Sequence, residues 1–226
     1  KVNKMKLFNK NFPNIFLDKK RKLFTKSVDK KKFFDERIYM EQGQSYREWD
    51  PKRSKLAAAI IKQISQLGIK EGNTILYLGA SHGYTPSFVS DIITNNGFMF
   101  AVDVSPTVTR DLVALAEKRK NIAPILADCN HPEEYAHLIK DKVDVVFQDI
   151  AQRDQVPIFL KNCDAYLKEG GFGLLAIKAR SIDVSKKPKD IFKQVRTKLE
   201  KKITIVDYRE LAPFEKDHAF FVVKKR

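Results

Sequence analysis

Three apolar runs of this sequence end in groups that can do chemistry. Ile75–Leu78 runs into the loop "GASHGYT" (Gly79–Thr85), Val143–Gln148 into "DIAQRDQ" (Asp149–Gln155), and "FGLLAI" into Lys178. A carboxylate and an ammonium brought together in a cleft shift one another's proton affinity, as catalytic pairs do; for Asp149 and Lys178 a purely structural ion pair is the plainer alternative. A glycine-bearing loop between a strand and a helix offers backbone N–H groups and close approach to a nucleotide. Its spacing is GxxxG rather than the dinucleotide GxGxxG, so the loop alone does not name its ligand. Asp103, 24 residues after Gly79, can bind both hydroxyls of a ribose, and Asp128 can accept from an adenine amino group. Either could instead cap the helix that follows it. Asp149, Ala151 and Gln152 supply an acid, a small residue and an amide as a floor for a bound ligand.

These groups need elements to hold them. Ser54 N-caps a helix in "SKLAAAIIKQI", and from there helices and strands alternate. Strands are expected at Thr74–Leu78, up to Asp103, at Ala123–Leu126, at Val143–Gln148 and up to Lys178. Helices are expected from Pro86, over Pro106–Arg119, around "HPEEYAHLI", near Val156–Tyr166 and over Pro188–Leu199. The continuous apolar character of the strands is that of parallel strands covered on both faces. The last two, "ITIVDYR" and "AFFVVKK", have no helix between them and should pair antiparallel. Before Trp49 the text is short and β-like, with "EQGQ" as a hairpin turn. A small β-rich N-terminal unit over residues 1–50 and an α/β unit over 51–226 are therefore expected.

The 226 residues suffice for one sizeable core with a small appendage. No apolar stretch approaches the ~18 residues of a membrane span, and no secretion signal opens the chain, so a cytoplasmic protein is expected. Two cysteines, and histidines that do not cluster at ligand spacing, leave no metal site to expect. Charge is the informative quantity. Lys and Arg number 43 against 28 Asp and Glu, for a net +15, which points to a polyanionic partner. The densest run is "KKRKLFTKSVDKKK" (Lys19–Lys32), readable as a solvated hairpin face or as an RNA contact. No RRM or KH signature is present, so any RNA specificity would have to come from elsewhere.

The words "YREWDPKRSKLAAAI", "LYLGA", "SDI", "DIAQRDQ", "IKARSID" and "EKDHA" together resemble fibrillarin in its archaeal form, from about Arg37 to the last residue. The resemblance implies an S-adenosyl-L-methionine-dependent RNA 2′-O-methyltransferase. It also implies a Rossmann-like seven-stranded domain behind a small N-terminal β domain. The partners it implies are a Nop5-type scaffold, an L7Ae-type protein, a box C/D guide RNA and the target RNA. Carried over by position, cofactor contacts fall on Gly79, Tyr84, Thr85, Asp103, Val104, Asp128, Cys129, Asp149, Ile150, Ala151 and Gln152. The catalytic set falls on Lys55, Asp149, Lys178 and His218. In it Lys178 would be the base or oxyanion stabiliser and Asp149 would orient it. Lys55 would complete the electrostatic environment, and His218 would position the ribose or relay the proton.

The chain departs from the family pattern at His82 and Tyr84, where small hydroxyl residues are usual. Val104 replaces an aromatic, and Arg153 replaces a proline. Tyr84 is expected to restore the stacking surface that Val104 gives up, and the N-terminal unit is a candidate scaffold contact. Two rival readings remain. An NAD-dependent oxidoreductase would share the loop and Asp103, but lacks GxGxxG and fits poorly with net +15. A non-catalytic RNA-binding or assembly module would explain the departures, but retention of all four catalytic-type residues argues against it.

Overall fold

The computed structural model describes residues 4–226; the first three residues of the expected N-terminal unit lie outside them. Five short strands come first: β1 (Lys6–Leu7), β2 (Ile15–Leu17), β3 (Leu23–Lys26), β4 (Ile38–Glu41) and β5 (Gln44–Trp49). They form one antiparallel sheet in the order β1-β2-β3-β5-β4. The β4–β5 hairpin closes through Gln42 and Gly43 at φ 48° and 75°, the left-handed conformations that a two-residue turn between twisted strands demands.

From Ser54 the chain alternates as expected. The helices are α1 (Lys55–Ile61), α2 (Tyr84–Ile93), α3 (Pro106–Lys118), α4 (Gln155–Tyr166), α5 (Ala179–Ile182) and α6 (Pro188–Glu200). The strands are β6 (Thr74–Leu78), β7 (Phe98–Asp103), β8 (Ile122–Leu126), β9 (Val143–Gln148), β10 (Leu167–Lys178), β11 (Thr204–Glu210) and β12 (His218–Lys224). Their order is β11-β12-β10-β9-β6-β7-β8. Strands β6 to β10 run parallel, and β12 lies antiparallel between β10 and β11. From β6 the chain winds to β7 and β8 on one side, then returns to β9 on the other. Such a switch point opens a crevice at the carboxyl ends of the two strands.

Two sequence expectations shift. Helix α2 begins at Tyr84, two residues before Pro86, because Gly83 (φ 86°) turns the chain directly into it. The stretch around "HPEEYAHLI" makes only a 3-10 turn, Pro132–Tyr135. Tyr135 donates to Asn162 there, and Tyr166 donates to the Pro132 carbonyl. Those side-chain ties hold the segment against α4 in place of a regular helix. Among the described residues no helix is long and apolar enough to cross a membrane.

The N-terminal sheet and α2 share a buried interface. Phe12, Ile15, Leu23 and Trp49 belong to the same core as α1 and α2, with Trp49 stacked on Phe88 at 5.0 Å. The basic run Lys19–Lys32 is therefore no simple solvated face: its centre, Leu23–Thr25, is fully buried. Beside it lies a charged cluster. Asp91 of α2 pairs with Arg47 of β5 at 2.9 Å and with Arg119 at 2.7 Å, while Thr25 Oγ1 donates to it at 2.8 Å. Arg47 also pairs with Glu36 at 2.9 Å and lies over the Phe88 ring at 4.2 Å. Removing one partner of such a buried set strands charges with no water to solvate them. Asp91→Ala should lower unfolding free energy by roughly 3–5 kcal/mol, measured by urea denaturation; a loss typical of a surface site would mean the cluster carries no weight.

Candidate active site

Strand alternation explains why the predicted residues converge. Val145 and Phe147 of β9, Leu174 and Ala176 of β10, and Phe220 and Val222 of β12 all enter the core on the α1 side of the sheet. Period two then carries Asp149, Lys178 and His218 onto that face. Because β12 is antiparallel, its first residue lies at the same sheet edge as the last residue of β10, and His218 is the register partner of Lys178. Helix α1 buries Leu56–Ile60 against this face, which sets Lys55, in its first turn, over the end of β9.

Lys55 Nζ lies 2.9 Å from Asp149 Oδ1 and 3.1 Å from Oδ2. Burial pulls the lysine's pKa down, but the charge and hydrogen bond of Asp149, with Glu215 beyond, outweigh it and leave it above the ordinary value. Asp149 was expected to orient Lys178; the structure gives it to Lys55 instead. Lys178 is exposed, with no carboxylate within ion-pairing distance among the described residues. What is fixed is its backbone. Gln155, fully buried, accepts from Lys178 N–H at 3.0 Å and donates to Lys178 O at 3.2 Å and Gln152 O at 2.8 Å. Gln155 lies within "DIAQRDQ", but nothing in its sequence context gave it this bracketing role.

His218 Nδ1 is 2.6 Å from the Lys216 carbonyl. A carbonyl only accepts, so Nδ1 carries the proton and the neutral ring keeps an acceptor lone pair on Nε2. Burial lowers its pKa below that of free histidine; the Lys216 carbonyl opposes the shift, nearby Lys55 adds to it, and the charges of Glu215 and Asp149 oppose it.

The loop residues occupy the neighbouring crevice. Gly79 has φ 81°, and a Cβ there would lie 2.3 Å from the Asp149 carbonyl oxygen and 2.8 Å from Ile150 Cγ2. Only glycine lets the two loops touch. Asp103 accepts from Ser81 N–H at 2.8 Å and Ser105 N–H at 3.0 Å, tying the glycine loop to the start of α3. Asp128 accepts from Asn130 N–H at 2.8 Å. Val104 is 57% exposed, an apolar surface open beside Asp103, and Ala151 is exposed as well. Cys129 is buried, and that burial pushes its thiol up to about 12, so it stays protonated and is no nucleophile.

Tyr84 does not take the stacking role expected of it. Its ring packs edge-on against Phe34 and Phe88, at 5.3 and 5.2 Å, under the Arg53 guanidinium at 4.2 Å. A large side chain at the start of α2 is drawn to the aromatic seam with the N-terminal sheet. Thr85 is 8% exposed and its hydroxyl donates to Ser54. His82, the other departure, pairs with Asp111 at 2.7 Å on the surface. Among the described residues no group of three or more His, Cys, Asp or Glu could hold a metal ion.

The depressed His218 pKa has a measurable sign. Its imidazole should titrate below the ~6.5 of free histidine, followed by NMR of the ring carbons as pH falls; titration above that value would mean the imidazolium is the stabilised form. The stability linked to this group is present at neutral pH and is lost as pH falls through the lowered value.

A family model described as Fibrillarin matches residues 5–226 of the chain. A protein of Thermococcus sibiricus named fibrillarin-like rRNA/tRNA 2′-O-methyltransferase is 47% identical over 219 residues, 95% of this chain and 96% of that one. The structure of Aeropyrum pernix fibrillarin, solved with natively bound S-adenosyl-L-methionine, superposes with a TM-score of 0.89 at 38% identity, covering 99% of each chain. A crystal structure of a fibrillarin/Nop5p complex superposes with a TM-score of 0.85 at 37% identity, covering 94% of this chain and 98% of that one. An oxidoreductase reading has no place beside these matches, and the seven-stranded α/β unit with its N-terminal sheet belongs to a Rossmann-like methyltransferase fold. The chain belongs to the fibrillarin family.

Proposed function

We propose that this chain is an S-adenosyl-L-methionine-dependent RNA 2′-O-methyltransferase. It would act on rRNA and tRNA as the catalytic subunit of a cytoplasmic box C/D ribonucleoprotein. The observation that carries the reading is the convergence of Lys55, Asp149, Lys178 and His218 on one sheet face at the switch point, next to a glycine loop. The bound-donor structure of a relative and the methyltransferase names of others support it. The fibrillarin/Nop5p complex supports a Nop5-type scaffold, and the family resemblance extends this to an L7Ae-type protein and guide RNA. The two units meet at residues 50 and 51 in this reading, where the N-terminal sheet ends and the chain turns into α1.

The residues present fit the donor. The absent Cβ of Gly79 leaves the loop pressed on Asp149, Asp103 offers a carboxylate beside the loop, and Val104 and Ile150 offer apolar surface for a purine. Asp103 would hold the ribose hydroxyls and Asp128 the adenine amino group. The loops Gly79–Thr85 and Asp149–Gln152 would flank the rest, with Cys129 lining the pocket as a neutral thiol. Bound there, the sulfonium supplies an electrophilic methyl group, which a ribose oxygen takes in line as the neutral sulfide leaves.

This chain's residues handle the acceptor. His218 Nε2, unprotonated at neutral pH, would take the 2′-hydroxyl proton. Lys178, its cross-strand neighbour with no ion-pair partner among the described residues, would stabilise the developing alkoxide. The Lys55–Asp149 pair would hold a fixed field behind them. Sequence selection would fall to guide pairing, since the chain has positive charge and its sequence carries no RRM or KH signature.

Three outcomes follow. Lys178→Ala should abolish methylation in an assembled particle and leave donor affinity within a few-fold; substantial turnover would remove Lys178 from the mechanism. Asp103→Ala should weaken donor binding by roughly 1–3 kcal/mol, measured by calorimetry, and unchanged affinity would leave Asp103 as a loop tie only. The lone chain should bind RNA loosely, losing it as salt rises, and methylate a guide-matched site only with its partners. Efficient site-specific methylation without them would show that it carries its own reader.

A further inference from the structure

Ser54 joins the helix that carries Lys55 to the helix that follows the glycine loop. It is 2% exposed and caps α1. Its Oγ accepts from the Ala57 N–H at 3.3 Å and from the Thr85 hydroxyl at 3.0 Å. Thr85 ends the glycine loop and is the second residue of α2. Lys55 follows Ser54 directly and crosses to Asp149, whose own loop is in contact with Gly79. One oxygen therefore ends the helix that carries the lysine and receives the hydrogen bond of the helix that follows the donor loop.

A helix cap alone would not need Thr85. The Ala57 bond satisfies the cap, and a serine hydroxyl with that bond is complete as a helix terminus. The second bond fixes the start of α1 relative to α2. A lysine side chain is flexible and loses rotamer entropy when held in one place, so where its ammonium rests depends on where its helix begins.

We propose that Ser54 and Thr85 are positioning residues that seat Lys55 on Asp149 by tying α1 to the glycine-loop helix. A displacement of the loop is thereby transmitted to the ion pair. The catalytic meaning of this tie rests on the methyltransferase reading; the tie itself does not.

The test uses the full chain and a readout separate from methylation. Competitive acetylation of lysines with acetic anhydride across pH, resolved by peptide mass spectrometry, reports the reactivity and titration of Lys55. Thr85→Val keeps the cap and the shape but removes the hydroxyl donor. It should raise Lys55 labelling by about three- to tenfold, the scale of one hydrogen bond, and lower its titration toward that of free lysine. Surface lysines and Lys178 should be unaffected, and Thr85→Ser should restore the wild-type pattern. Ser54→Ala should match Thr85→Val if it folds, judged by thermal unfolding. Unchanged Lys55 labelling in folded Thr85→Val overturns the proposal, as does failure of Thr85→Ser to restore it. Assembled particles at saturating donor then separate the two readings. A wild-type particle that methylates nothing, with the labelling pattern as expected, defeats the proposed function and leaves the positioning role standing.

Discussion

A buried carboxylate between two guanidiniums holds the molecule together. Asp91 lies on α2, Arg47 comes from the N-terminal sheet and Arg119 follows α3. Charges removed from water are tolerated only when fully paired and hydrogen-bonded. Thr25, Ser87 and the rings of Phe33 and Phe88 complete the enclosure around them. Everything at the site inherits this arrangement. Helix α2 begins at the glycine loop, so the loop's position depends on a contact made two turns down the helix. The N-terminal sheet is thus part of the framework that aims the donor crevice.

The second constraint is the pleat. Asp149, Lys178 and His218 come from three separate stretches of chain, yet each continues the inward row of its own strand on the same face. The antiparallel β12 is needed for this, because a parallel strand would place its first residue at the far edge of the sheet. Alternation supplies the face, and strand direction supplies the edge. Helix α1 then adds Lys55 from outside the sheet, through burial of its apolar stripe and the hydrogen bond that ties its N-cap to α2.

This explains what the sequence allowed a reader to see. The strand ends, the glycine loop and the closing hairpin were legible because local apolar patterning and glycine placement carry them. The partner of Asp149 was not. Whether Lys178 or Lys55 reaches it depends on the height at which α1 packs, and no local pattern encodes that. The Arg47–Asp91–Arg119 cluster was equally hidden, since Asp91 lies 44 residues from Arg47 and buried arginines look like surface ones in composition. Tyr84 misled because a tyrosine beside a nucleotide loop suggests stacking, whereas its ring found Phe34, Phe88 and Arg53. Membership of the family came from whole words of sequence, which encode these long-range solutions without explaining them.

The buried cluster also alters how the chain's charge should be counted. Among the described residues the largely buried charged side chains are Arg47 and Arg119 against Asp18, Glu36 and Asp91. Three carboxylates against two guanidiniums leave the interior one unit negative, so the remainder of the chain carries one positive charge more than the +15 of the whole. None of the cationic excess is spent inside. It sits where salt ions gather, and an approaching polyanion would shed its own condensed cations into solution. The thermodynamic reward for that encounter is the mixing entropy of small ions, which is indifferent to base identity. On the proposed RNA-methylating role, the outer surface would collect RNA in general and would leave discrimination to whatever the collected strand is paired with.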